Sequence, residues 1–257
     1  IRGACTARAM RRVRVIRFLS RMTLHRLKPE AAHNVAMAGL AALSRLPSGG
    51  LIEKRARVRD PRLAQTIFGL EFPNPVGLAA GFDKQAAAVP AFAYLGFGFC
   101  EIGTVTADGQ PGNPKPRLFR LPEHEAIINR MGFNNAGVDA LLEKLASIRY
   151  RGILGINIGK NFDTPNERAA DDYLACLHAV YPKAHYVTVN ISSPNTKGLR
   201  DLQEKDTLRR LVEQVSGQHA DVSISVPASA RATVSTVKLR VMVAGSSSAK
   251  AARTRKV

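Results

Sequence analysis

An α/β fold built from βαβ units, enough for the first half of an eight-stranded barrel, is what this chain of 257 residues predicts. Three observations predict it. Four short runs of β-branched, aromatic and small apolar residues, beginning at Val76, Phe97, Gly152 and Tyr186, read as buried strands. Helical patterns separate them, so consecutive strands stand further apart than a hairpin allows and pair in parallel through crossovers. Past Val215 the pattern stops: residues 216–257 hold no aromatic residue, a single leucine (Leu239) and abundant Ser, Ala, Val and Arg.

Composition narrows the function classes. The chain carries 38 Lys and Arg against 20 Asp and Glu, a net charge of +18. A uniformly basic surface would point to nucleic acid, but residues 1–30 and 216–257 together hold +14 of it, leaving +4 for the middle. No nucleic-acid partner is expected of the core. Cys5, Cys100 and Cys176 are odd in number and far apart, which fits a reducing compartment and no thiolate metal site. No HxxxH pair occurs among the six histidines, so no metal is predicted. No run of 18 apolar residues exists to span a membrane as a helix.

Taken in order, residues 1–22 are arginine-rich and acid-poor, as in a targeting or surface-binding leader; an artefact of the gene start gives the same composition. From Thr23 to Leu46, apolar residues recur near helical spacing between Pro29 and Pro47, predicting two short amphipathic helices. They either cap a barrel or rest on a membrane surface and admit an apolar ligand. Ser48-Gly49-Gly50 closes this 23–50 unit. Residues 66–72 predict a short strand. VGLAAGFDK, Val76 to Lys84, then reads as a strand of small residues with a polar exit, leading into a helix over Gln85–Leu95.

Small side chains at a strand end let a flat cofactor approach the backbone. A plain glycine turn accounts equally for Gly81, but not for Lys84 at the strand's mouth. The second strand, Phe97 to Val105, ends at Thr104. RLFRL and AIINR pair as a hairpin across Pro122–Glu125, with Asn129-Arg130-Met131-Gly132-Phe133-Asn134-Asn135 at its exit. Amides, an arginine and an exposed aromatic in one loop suit a flat polar anion; the bland alternative makes Asn134 or Asn135 the N-cap of a helix over Val138–Ile148.

GILGINIGK, Gly152 to Lys160, lacks the glycine spacing and hydroxyl of a P-loop. Its Asn157, polar in an apolar run, is either a satisfied core amide or faces a ligand. A helix follows over Glu167–Val180. The last strand opens into Ser192-Ser193-Pro194-Asn195-Thr196, a proline-fixed polar loop at the strand's C-terminal end. That end is where α/β barrels place their chemistry.

Six motifs in this order (NPVGLAAGFDK, EIGTVT, PGNPKPRLFRL, INRMGFNN, GILGINIGKN and VNISSPNTKGLR) together resemble the membrane-associated, quinone-linked (class 2) dihydroorotate dehydrogenases, over roughly Leu24 to Val215. The resemblance implies a TIM-type (β/α)8 barrel holding FMN, of which residues 51–215 write the first half behind the helical membrane and quinone unit at 23–50. It implies oxidation of (S)-dihydroorotate to orotate in de novo pyrimidine biosynthesis, with a quinone as electron acceptor. By position, Ala80, Gly81, Phe82, Asp83, Lys84, Thr104, Asn157 and Asn190 match flavin contacts. Lys84, Asn129, Arg130, Met131, Gly132, Phe133, Asn190 and Asn195 match substrate contacts.

Ser193 matches the catalytic base, where soluble relatives carry cysteine, and Thr196 and Phe133 are candidates for its proton relay. A monomer, peripheral on the cytoplasmic side of a bacterial inner membrane or on the mitochondrial inner membrane, is the implied setting. Residues 216–257 depart from the family's motifs, as a shifted reading frame or a disordered tail would, so the chain alone is expected neither to close the barrel nor to hold FMN tightly. The competing readings are another FMN-dependent barrel, a non-catalytic basic protein that binds nucleic acid or anionic lipid through its ends, and a fragment with no function of its own.

Overall fold

The computed structural model describes residues 22–46, 49–58, 60–217, 222–225 and 238–243. The basic leader apart from Met22, and most of the 216–257 tail, lie outside the described residues.

After a 3-10 turn at Leu24–Arg26, helix α1 runs from Pro29 to Ser44. The two short helices expected there are one, because Pro29 falls at the first helical position, where its missing N–H costs nothing, and nothing interrupts the turns that follow. Helix α2, Gly49–Ala56, begins at the glycines expected to close the unit. Gly49 is there for close packing: a Cβ on it would meet the Tyr94 ring at 2.2 Å. The single strand expected over 66–72 is a hairpin, β1 (Gln65–Ile67) against β2 (Leu70–Phe72). Phe68 and Gly69 turn it with φ of 51° and 76°, the primed geometry that matches strand twist.

Strand β3 is Gly77–Leu78, and helix α3 is Val89–Tyr94, shorter than the Gln85–Leu95 expected. The reason is Asp83. Its buried carboxylate accepts the backbone N–H groups of Gln85 (3.3 Å), Ala87 (2.8 Å) and Ala88 (2.9 Å), tying these residues into a turn.

Then come β4 (Phe99–Val105), β5 (Asp108–Gln110), the hairpin β6 (Leu118–Leu121) and β7 (Ala126–Asn129), β8 (Asn135–Gly137) and helix α4 (Val138–Ala146). The cap of α4 is Gly137, not an asparagine; Asn135 instead accepts from the Gly137 and Thr106 amides through Oδ1. Strand β9 (Ile153–Ile158), helix α5 (Ala169–Val180), strand β10 (Tyr186–Asn190) and helix α6 (Lys205–Ser216) follow, with β11 (Val222–Ser225) and β12 (Lys238–Val243).

The main sheet has the order β11-β12-β10-β9-β4-β3. Strands β3, β4, β9 and β10 are mutually parallel, as expected of βαβ units. Strand β12 lies antiparallel on β10, pairing Asn190 with Lys238 and Tyr186 with Met242.

The sheet's two faces differ in chemistry. Cys100, Ile102, Leu154, Ile156, Ile158, Val187 and Val189 pack with Phe92 of α3, Leu141 and Leu145 of α4, and Tyr173, Cys176 and Leu177 of α5. Each large apolar side chain so buried contributes about 1.5–3 kcal/mol. Alternation puts Glu101, Asn157, Tyr186, Thr188 and Asn190 on the opposite face, all buried.

The N-terminal helix is fastened to the β6–β7 hairpin by charge. Glu30 of α1 receives Nη2 (2.7 Å) and Nε (3.3 Å) of Arg117, whose Nη1 donates to the Pro111 and Asn113 carbonyls at 2.7 and 2.9 Å. Arg120 donates to the carbonyls of Leu24, His25 and Leu27.

Candidate active site

At the C-terminal ends of β4, β9 and β10, three polar side chains from distant parts of the chain close a hydrogen-bonded ring. Thr104 Oγ1 donates to Asn157 Oδ1 at 2.5 Å. Asn190 Nδ2 donates to that same oxygen (3.2 Å) and to Thr104 Oγ1 (3.1 Å). Behind the ring, Asn157 Nδ2 donates to Glu101 Oε1 at 2.9 Å, and the Tyr186 hydroxyl donates to Glu101 Oε2 at 3.1 Å. Asn190 Oδ1 accepts from both the backbone N–H (3.2 Å) and the hydroxyl (3.1 Å) of Ser192. The strand end is also held from outside, where the Tyr173 hydroxyl of α5 donates to the Asn190 carbonyl at 3.0 Å.

The serine loop continues from Ser192. Ser193 Oγ accepts the Asn195 N–H at 3.3 Å, an ST turn fixed by Pro194. Asn195 Nδ2 reaches back to the Asn129 carbonyl (3.2 Å), so the loop after β10 is tied to the loop after β7. Asn113 Nδ2 braces both, donating to the Arg130 (2.9 Å) and Asn195 (3.3 Å) carbonyls. Beside them opens a cavity of about 430 Å³, whose lining includes Gln110, Asn113, Gly132, Phe133, Asn195 and Thr196.

Lys84 lies across from this loop. Its ammonium donates to the Gly132 carbonyl at 3.1 Å and to Asn134 Oδ1. Burial, then the Arg117 guanidinium, pushes the lysine down to about 8, with Glu30 opposing. The site therefore holds a cation whose charge is conditional near neutral pH.

The chain matches the family model described as dihydroorotate dehydrogenase over residues 62–244. The chain belongs to the dihydroorotate dehydrogenase family. Its match to that family continues past Val215, where the motif resemblance stops. Among curated relatives, it is 57% identical over 206 residues to the dihydroorotate dehydrogenase (quinone) of Pseudomonas fluorescens (strain SBW25), covering 80% of this chain and 59% of that protein. It is 60% identical over 198 residues to the same-named protein of Pseudomonas syringae pv. tomato, covering 77% and 57%. Among solved structures, that of DHODH in complex with ferulenol from Eimeria tenella matches with a TM-score of 0.64 and 46% identity, over 74% of this chain and 50% of that one. The chain thus spans about three-fifths of the length of these curated relatives.

Set in this family, the residues singled out in the sequence fall into three groups. Thr104, Asn157 and Asn190 form the ring. Lys84, Gly132, Asn129, Ser193 and Asn195 are joined by the two loops; Met131, Phe133 and Thr196 are buried there, while Asn129 and Arg130 are exposed. The stretch Ala80–Asp83 is divided: Gly81 and Phe82 are exposed, and the Phe82 ring meets the edges of His33 (5.1 Å) and Phe92 (6.0 Å). Asp83 offers its carboxylate to backbone amides rather than to the site.

Three participants were not singled out from sequence: Glu101, Tyr186 and Asn113. A lone acid in the apolar run FCEIGTV was the available signal for Glu101, since a buried carboxylate needs partners. Asn113 had no such signal within its proline-rich loop.

Proposed function

We propose that the chain carries the flavin- and substrate-facing half of a quinone-linked dihydroorotate dehydrogenase, which oxidises (S)-dihydroorotate to orotate in de novo pyrimidine biosynthesis. One observation carries this: the Ser193 loop is hydrogen-bonded on one side to the Asn157–Thr104–Asn190 ring and on the other to the Asn129 loop. The names of the relatives support it. The residues present fit FMN in part. Gly81 has φ +103° and open space where a Cβ would stand, so a flat ring can approach Ala80–Phe82. The amide ring supplies neutral polar contacts, and Lys84 a cation.

FMN, when bound, supplies the hydride acceptor. Asn129 and Asn195 hold the pyrimidine through neutral amides that do not compete for protons, and Lys84 balances its carboxylate. Ser193 takes the proton from the ring carbon next to the hydride donor. A hydroxyl is a poor base at neutral pH, so the proton leaves through Thr196, with the buried Phe133 ring excluding bulk water. With FMN in excess over its dissociation constant and oxygen removed, dihydroorotate bleaches the flavin. Ser193→Ala should slow that bleaching roughly 10²–10⁴-fold while orotate affinity changes little; an equal rate would remove Ser193 from the role.

Lys84 makes both stability and orotate binding depend on pH, with opposite signs. Its pKa is depressed in the folded chain, from 10.5 to about 8. The unfolded chain therefore binds the extra proton between those values, and stability rises with pH across that window. Orotate binding needs the charged amine, so affinity should be level below pH 8 and fall above it. Calorimetric titration of orotate at pH 7 and pH 9 checks this, and Lys84→Met should bind weakly at both.

Electrons pass to a quinone at the N-terminal unit, and the protein is a peripheral monomer on the cytoplasmic side of the inner membrane. No single helix among the described residues is long and apolar enough to cross a membrane. Leu27, Val35, Leu46 and Leu51 of the N-terminal turns and helices are exposed, and so is Ile127 at 62%. Such a surface suits interfacial adsorption. A cavity of about 730 Å³ between α1 and β6, lined by Pro29, Ala31, Asn34, Leu118 and Phe119 among others, suits an apolar acceptor.

A further inference from the structure

Glu101 is used by nothing in the proposed chemistry, yet it is buried at the root of the ring, with each carboxylate oxygen accepting one hydrogen bond. Both oxygens act as acceptors, one toward Asn157 and one toward Tyr186. Asn157 must therefore turn its NH2 toward Glu101 Oε1, because the reversed amide would set oxygen against oxygen. That choice propagates. Asn157 Oδ1 is left facing the ring, so Thr104 must donate to it. With the Thr104 proton so engaged, Thr104 Oγ1 is an acceptor toward Asn190, whose NH2 must point inward. Asn190 Oδ1 is then left for Ser192, which meets it with two donors. One buried carboxylate, accepting at both oxygens, sets the donor–acceptor sense of four side chains in sequence.

The count of remaining valences says what the ring can recognise. Thr104 Oγ1 and Asn157 Oδ1 lie only 2.5 Å apart, so the two contacts of Asn190 Nδ2, at 3.1 and 3.2 Å, share one of its amide hydrogens, while its oxygen receives two donors. Asn157 Oδ1 likewise accepts two bonds. What the ring keeps is the second N–H of Asn190 and the second N–H of Asn157, neither bonded to an acceptor among the described residues.

We propose that Glu101 is the positioning residue of the site: it locks the sense of the Asn157, Thr104 and Asn190 hydrogen bonds, so that the ring meets a bound heterocycle as a donor and selects an acceptor atom on it. The ligand's identity as a flavin rests on the reading above; the locking does not. Without the lock, Asn157 would occupy both amide orientations, and the reversed one would turn its NH2 into the ring and reverse the sense of the Thr104 and Asn190 bonds, setting the Asn190 oxygen where its NH2 now stands.

The test uses the full chain and Glu101→Gln, which keeps shape and burial but can face Asn157 with either an oxygen or an NH2. Side-chain amide resonances of Asn157 and Asn190 in 15N-labelled protein, without ligand, should be single and dispersed in the parent and become doubled or exchange-broadened in the variant. FMN titration should show affinity lowered roughly tenfold, as for loss of one well-placed hydrogen bond. Tyr186→Phe removes the other donor to Glu101 and leaves Asn157's choice intact, so its amide resonances should stay single. Unchanged amide resonances in Glu101→Gln would overturn the proposal. So would equal doubling in Tyr186→Phe, which would mark a general loosening of the core. If FMN fails to bind even the parent, the flavin reading fails and the amide spectra still decide the locking.

Discussion

A protein of these 257 residues, purified without added cofactor, will come off the column without stoichiometric yellow flavin. The described residues provide the strand ends for one side of a flat ring, but no glycine loop that would cradle a phosphate, which barrels of this kind place after their last two strands. Without a phosphate site, charge-assisted bonds of about 1.5–3 kcal/mol each are missing. Equilibrium dialysis should therefore give a dissociation constant for FMN at least a hundredfold above that of a full-length relative measured alongside, and nearly the same for riboflavin. A stoichiometric flavin in the isolated protein, or a large preference for FMN over riboflavin, would refute this.

Arg117→Ala should cause the largest loss of stability of any single change at the N-terminal unit. The Arg117 side chain is 6% exposed and that of Glu30 19%. Removing the guanidinium leaves the Glu30 carboxylate facing one remaining partner, Lys115 at 3.4 Å, and strips the Pro111 and Asn113 carbonyls of their donor. Breaking one side of such a pair costs about 3–5 kcal/mol when it is fully buried, and about 3 kcal/mol is expected here. The loss should be local first: amides of α1 exchange faster, and the Asn113 brace on the Asn195 loop loosens because its own carbonyl anchor is gone. Hydrogen exchange read by mass spectrometry over Pro29–Ser44 and over 193–199 checks both. Acid should mimic the variant. Arg117 holds the Glu30 carboxyl below its ordinary range, by hydrogen bonding first and charge second, so the clasp is intact above the usual carboxylate pKa and is lost as pH falls through the depressed one.

How much of this was legible in the sequence varies with the range of the forces involved. Strands β4, β9 and β10 were readable because each is a continuous apolar run, and the β6–β7 hairpin because Pro122 interrupts two matched segments. The turn that divides 66–72 into a hairpin carries one compositional sign, Gly69, because its other residue, Phe68, is a non-glycine with positive φ. Helix α3 is shorter than its apolar pattern because Asp83 gathers three backbone amides into a turn, which no helix pattern reveals. The ring residues Thr104, Asn157 and Asn190 were legible as polar interruptions at strand ends.

Their orienting acid was not. Glu101 meets Asn157 across 56 positions and Tyr186 across 85, and Arg117 meets Glu30 across 87. No local pattern encodes pairings of that span; they exist once strand register has brought the partners level.

Strand β12 runs backwards beside β10. Every earlier step of the main sheet advances the same way, and a cylinder of this kind is wound by repeating that step. A reversed neighbour acts as a bookend: it occupies the seam on β10 from which the next parallel step of the winding would start.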